Sequence, residues 1–192
     1  MRAVCFHGRR ELDMSGDFLL AAQILGAGAA EASLSAQVRT PAWPSPPGSP
    51  DRAIIRLDSS SLEDMAIPNR YDLEVVCDST LAVIPPMGNA LLPGGLLILN
   101  APDRPVVPSG GPRIISADLS ALALLRGAPL GFALSGAAWA ALRLLASEMD
   151  LPPAALENAS PAAMPEPPGE AARGLLLEAH QWISSLLENE GL

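Results

Sequence analysis

An apolar run, RAVCFH (2–7), begins almost at the first residue, and after a loop Phe18, Leu19, Ala22, Leu25 and Ala29 recur at helical spacing. A run so short and apolar is satisfied as a strand buried inside a sheet, and the helix behind it covers one face. Gly8 breaks the strand, the loop extends to about Asp17, and Ser15 or Asp17 is placed to cap the helix. This is the frame of a phosphate-cradling opening. Its content is thin, because a dinucleotide fingerprint needs several glycines for close backbone approach and only Gly8 and Gly16 remain.

Further extended segments follow: SLSAQVRT (33–40), AIIRL (53–57), YDLEVVCD (71–78), LLILN (96–100) and RIISAD (113–118). PAWPSPPGSP (41–50) holds five prolines and reads as a loop. Beyond residue 118 the pattern turns helical, through ALALLRG, GFALSGAAWAALRLLASEMD and PPAALENA to a last helix with Leu175, Leu176, Ala179, Trp182, Ile183 and Leu186 on one stripe. The expectation is an α/β fold with a mostly parallel sheet flanked by helices in a Rossmann-like three-layer architecture. One domain spans 1–159, a Pro-rich connector 160–169, and a docking helix of the same domain 170–192.

Composition removes whole classes of chemistry. The 192 residues include no lysine, which excludes a Schiff-base mechanism and a P-loop ATPase. Cys5 and Cys77 lie in strand-like runs and read as reduced core thiols; with only His7 and His180 beside them, neither an iron–sulfur cluster nor a structural zinc site is expected. A formal net charge of −9 argues against a nucleic-acid partner. MRAVCFHGRR lacks the apolar core of a secretory signal and no run is long enough to span a membrane, so the expected place is the cytoplasm. Apolar residues make up 49% of the chain, which suggests surface hidden against another subunit.

Ligands of α/β sheets sit beyond the carboxyl ends of the strands. That rule selects Gly8–Asp17, Asp58–Ser61, Asp78–Thr80 and Asn100–Asp103, four ends expected to converge on one crevice. Within it Arg9 and Arg10 are candidates to hold an anion, although solvated loop arginines explain them equally well, and the carboxylates of Asp13 and Asp17 oppose a phosphate. Ser60 and Ser79 are nucleophiles on paper, but no histidine stands at a readable spacing from either.

Taken in order, HGRR, SGDF and AAQILGAGAA, then AIIRLDSSSLE, YDLEVVCDSTL, PGGLLILN and GFALSGAAWAAL resemble the gamma subunit of the 2-oxoacid:acceptor oxidoreductases, the pyruvate:ferredoxin and 2-oxoglutarate:ferredoxin group. The chain departs from that family at two loops. Ser15, Gly16 and Asp17 stand where a G-G-Q-G core belongs, and PAWPSPPGSPDR replaces an arginine followed by paired glycines.

The resemblance implies a gamma-type subunit that assists assembly and the coenzyme A region during oxidative decarboxylation of a 2-oxoacid to an acyl-CoA. No catalytic residue and no metal ligand is assigned; the cofactor-contacting candidates are Gly8, Arg9, Arg10, Ser15, Gly16, Asp17 and Asn100. It implies alpha, beta and delta partner subunits and a ferredoxin-type acceptor reached through the complex; self-association into a homodimer is expected from the apolar composition and the striped last helix. Thiamine diphosphate, iron–sulfur clusters and coenzyme A belong to the complex, with none bound by this chain alone. The alternative is a stand-alone α/β module that binds a nucleotide or CoA-like anion through Arg9, Arg10 and the 15–17 turn, and a small hydrolase using Ser79 or Ser60 ranks third.

Overall fold

A computed structural model describes residues 1–10, 16–40, 46–64, 66–81, 88–103, 111–159 and 169–191. Six strands form one sheet: β1 (Arg2–Arg9), β2 (Ser35–Arg39), β3 (Pro50–Asp58), β4 (Tyr71–Val76), β5 (Leu91–Asn100) and β6 (Arg113–Ala117), in the order β2-β3-β1-β4-β5-β6. β1 pairs in parallel with β4, β4 with β5 and β5 with β6, while β3 runs antiparallel to both β1 and β2. Five strands therefore share one direction and β3 alone opposes them. The expected α/β class with a mostly parallel sheet is the observed one.

The helices are α1 (Asp17–Glu31), α2 (Leu119–Arg126), α3 (Leu130–Leu145), α4 (Pro153–Glu157) and α5 (Glu170–Asn189). All five contribute to a single core with Val4, Phe6, Ile55, Leu57, Leu73, Val75, Leu96, Ile98 and Ile115, alternate residues of the strands. α3 lies at its centre, where Phe132, Leu134, Trp139 and Leu142 are buried, and each such side chain contributes about 1.5–3 kcal/mol by leaving water. The opposite face of the sheet carries two smaller clusters, Ala3, Cys5, Ile54 and Tyr71 in one and Val76, Leu97, Leu99 and Ile114 in the other, neither containing a residue of α1–α5.

The striped last helix docks as its pattern implies. Leu175, Leu176, Ala179, Ile183 and Leu187 are buried, although Trp182 stands partly exposed. Gly136 lets α3 and α5 approach closely, since a Cβ there would collide with the carbonyl oxygen of Leu176. The connector preceding α5 lies, apart from Gly169, outside the described residues.

Strand limits differ from the expected ones for tertiary reasons. Gly8 does not end β1: it pairs with Asp51 of β3, and a Cβ there would strike the ring of Phe18 at 2.5 Å, so glycine is the residue that lets α1 seat on the strand. β5 begins five residues before LLILN because Leu91 pairs with Tyr71 across an irregularity in register.

Candidate functional site

The chain passes from β1 to β2 and β3 on one side of the sheet, and β4 lies on the other, so the gap between the carboxyl ends of β1 and β4 is the crossover crevice of the fold. Three of the four expected strand ends meet there. The fourth does not: β3 is antiparallel, so Asp58 ends at the opposite edge, paired with Ser35 and 3.2 Å from the N-terminal amine. Hydrogen bonds from the backbone and hydroxyl of Ser60 and that ion pair lower the Asp58 carboxyl to about 2. Asp58–Ser61 is thereby removed from the crevice, and with it Ser60 as a partner of its residues.

Two adjoining hollows make up the crevice. One, of about 150 Å³, is lined by Gly8, Arg9, Asp17, Phe18, Cys77, Asp78 and Leu130. The other, of about 300 Å³, lies among Asp78, Ser79, Asn100, Pro102, Asp118 and Ser120. Sequence reasoning found the ends of β1, β4 and β5 but missed Phe18, Leu130, Asp118 and Ser120. Asp118 did carry a signal, because an acidic residue directly before a helix pattern is a cap; it accepts from the Ala121 N–H at 2.9 Å.

Arg9 is committed on every side of its guanidinium. Nε donates to Asp78 Oδ2 at 2.7 Å, Nη2 to Thr80 Oγ1 at 2.7 Å and Nη1 to the Gly48 carbonyl at 2.8 Å. Asp78 in turn accepts from the Thr80 hydroxyl and N–H. Burial pushes the Asp78 carboxyl up, but the Thr80 bonds and Arg9 outweigh it and hold the group below its ordinary value. Arg10 is buried, with Nε 3.9 Å from Asp51.

Asp17 does not cap its own helix. Gly16 is the N-cap of α1, without a side-chain bond, and the Asp17 carboxylate accepts instead from the Gly131 N–H of α3 at 2.9 Å. Burial raises its pKa, partly offset by that bond. Asn100 is a clamp, its amide nitrogen donating to the Cys77 carbonyl and to Ser120 Oγ, each at 2.8 Å, while its oxygen accepts from the Ser120 N–H. Ser15 and Asp13 lie outside the described residues.

The two histidines, Ser60 and the two cysteines are paired or buried. His7 Nε2 lies 3.1 Å from Glu74 Oε1, and the other oxygen of this buried glutamate accepts from the Gly88 N–H. His180 is packed against α3, and Ser60 Oγ bonds Asp58. Burial pushes the Cys5 thiol up to about 12 and the Cys77 thiol well above its ordinary value, so neither is poised as a nucleophile. Among the described residues no group of three or more His, Cys, Asp or Glu is placed to hold a metal ion, and no helix is long and apolar enough to cross a membrane.

No protein-family model and no curated protein matches the chain. Solved structures do. A pyruvate oxidoreductase subunit from Thermotoga maritima is 23% identical, with a TM-score of 0.68 over 94% of this chain and 95% of that one. The gamma subunit of a keto/oxoacid ferredoxin oxidoreductase from Geobacter sulfurreducens is 16% identical, with a TM-score of 0.67 over 96% and 94%. This chain has their fold. In a 2-oxoglutarate:ferredoxin oxidoreductase from Magnetococcus marinus, solved with 2-oxoglutarate, coenzyme A and succinyl-CoA bound, the fold recurs at 16% identity and a TM-score of 0.62, across 97% of this chain and 30% of that one.

Proposed function

We propose that the chain is a gamma-type subunit of a thiamine-dependent 2-oxoacid:ferredoxin oxidoreductase, working in the cytoplasm. The observation that carries this reading is the end-to-end likeness to two subunits of such enzymes, each covered over 94% or more of its length. The reaction is oxidative decarboxylation of a 2-oxoacid, in which carbon dioxide leaves, the acyl group passes to coenzyme A and two electrons go to the acceptor. Thiamine diphosphate and iron–sulfur chemistry belongs to the alpha, beta and delta partners, and this chain assists assembly and the coenzyme A region. Its 1–159 body and terminal helix act as one unit. Leu124 and Leu125 on α2, 85% and 80% exposed, supply apolar surface for subunit contact or a homodimer.

The test is affinity capture of the tagged full-length chain from its own cells, followed by mass spectrometry. Larger thiamine-binding and iron–sulfur subunits in fixed proportion are the expected result. Recovery of the chain alone, with the tag placed at either end, would reject the reading.

A further inference from the structure

A phosphorylated ligand at the crossover of a doubly wound sheet needs backbone left bare by glycine, open N–H groups at the start of the following helix, and a cation with capacity to spare. Among the described residues the chain fills the first, spends the third, and sets a carboxylate beside the second. Gly8 and Gly16 are present, but Phe18 fills the space they leave: a Cβ would meet its ring at 2.5 Å from Gly8 and at 2.8 Å from Gly16, and Phe18 is 1% exposed. At the start of α1 stands the Asp17 carboxylate, which repels an anion and is anchored on Gly131. The guanidinium of Arg9 is spent on Asp78, Thr80 and the Gly48 carbonyl, and Arg10 is buried beside Asp51. Farther along, the crevice wall adds Asp118 to Asp78.

We infer that the described residues close the crossover crevice of this chain from within to coenzyme A, nucleotides and other phosphorylated ligands, so that any assembly containing the chain holds such phosphates outside this crevice. The closure is steric at Phe18 and electrostatic at Asp17 and Asp118, two independent obstacles. It narrows the part this chain plays in a coenzyme A region to one without phosphate contacts in the crevice. The inference rests on the crevice alone and stands whether or not the chain joins the complex proposed above.

The experiment is a two-dimensional amide NMR titration of the full-length chain at low ionic strength with coenzyme A and, separately, with inorganic pyrophosphate, each up to about 1 mM. No saturating shift is expected at Gly8, Arg9, Gly16, Asp17 or Phe18. Saturating shifts at those amides with a micromolar midpoint, abolished by Arg9→Ala, would overturn the inference. Saturation confined to amides elsewhere supports it, because the ligand then binds and still avoids the crevice. Partner capture decides the complex and this titration decides the crevice, so the two readings fail separately.

Discussion

Asp17, the first residue of α1, bonds the backbone N–H of Gly131, the second residue of α3, at 2.9 Å. Two helices that both press on the sheet thus share one carboxylate, which satisfies an N–H that α3 cannot pair internally and meets the positive end of its dipole. Pro129, the N-cap of α3, has no side-chain acceptor to do the same.

Asp17→Ala is expected to lower unfolding stability by about 1 kcal/mol, the usual cost of losing a helix cap. The pH dependence is distinctive. Because burial raises the folded pKa of Asp17, its contribution is fullest below the unfolded carboxyl value and declines as pH rises through the raised folded one. Asp17→Asn keeps an acceptor oxygen without the charge, so urea unfolding at a series of pH values should show that decline flattened in the variant.

The Arg9–Asp78 pair titrates in the opposite sense. Asp78 has a lowered folded pKa, so its contribution is present above the ordinary carboxyl value and is lost as pH falls through the lowered one. Arg9 and Asp78 are 39% and 32% exposed, so screening limits the pair. Arg9→Ala should cost about 0.5–1 kcal/mol, shrinking with added salt, and a double-mutant cycle with Asp78→Asn should isolate the coupling.

Gly136→Ala should be far more damaging than an ordinary surface glycine change. The added Cβ would strike the Leu176 carbonyl and sit 3.3 Å from the His180 nitrogen, both backbone atoms that cannot rotate away. A loss of about 3 kcal/mol, at the upper end for overpacking, is expected by thermal or urea unfolding. Gly174→Ala on α5, where a Cβ meets nothing, should be neutral or stabilising.

His180 lies at the same helix crossing, buried, with Nε2 lacking a hydrogen-bond partner among the described residues. Burial first and Arg143 second lower its pKa. The unfolded chain therefore takes up a proton before the folded one does, and stability present above the ordinary histidine value is lost as pH falls through the lowered folded value. His180→Gln should remove this acid-side loss, measurable as a flatter stability profile between about pH 6.5 and the acid carboxyl range.

Much of the fold is legible along the chain because burial leaves local marks. RAVCFH, EVV and LLILN are too short and apolar for anything but inner strands, and the spacing of Leu175, Leu176, Ala179 and Ile183 selects the face of α5 that docks. The cradle's poverty in glycine is legible too, since missing glycines and absent lysine are matters of residue type. Glu74 shows where such reading stops: a charged residue inside a strand signals exposure, yet it is buried because His7 and the Gly88 N–H satisfy its oxygens.

The sequence by itself determined the α/β class, the identity of the inner strands and the poverty of the glycine loop, all properties of neighbouring residues and their periodicity. Only the tertiary structure decided that β3 runs backwards and carries Asp58 away from the crevice, that Asp17 serves Gly131 rather than its own helix, and that Arg9 is spent on Asp78. These pairings join residues 69 and 114 positions apart. Local patterns mark a side chain's preference for burial or charge, but the partner it meets is set by how sheet order and helix packing bring distant segments together.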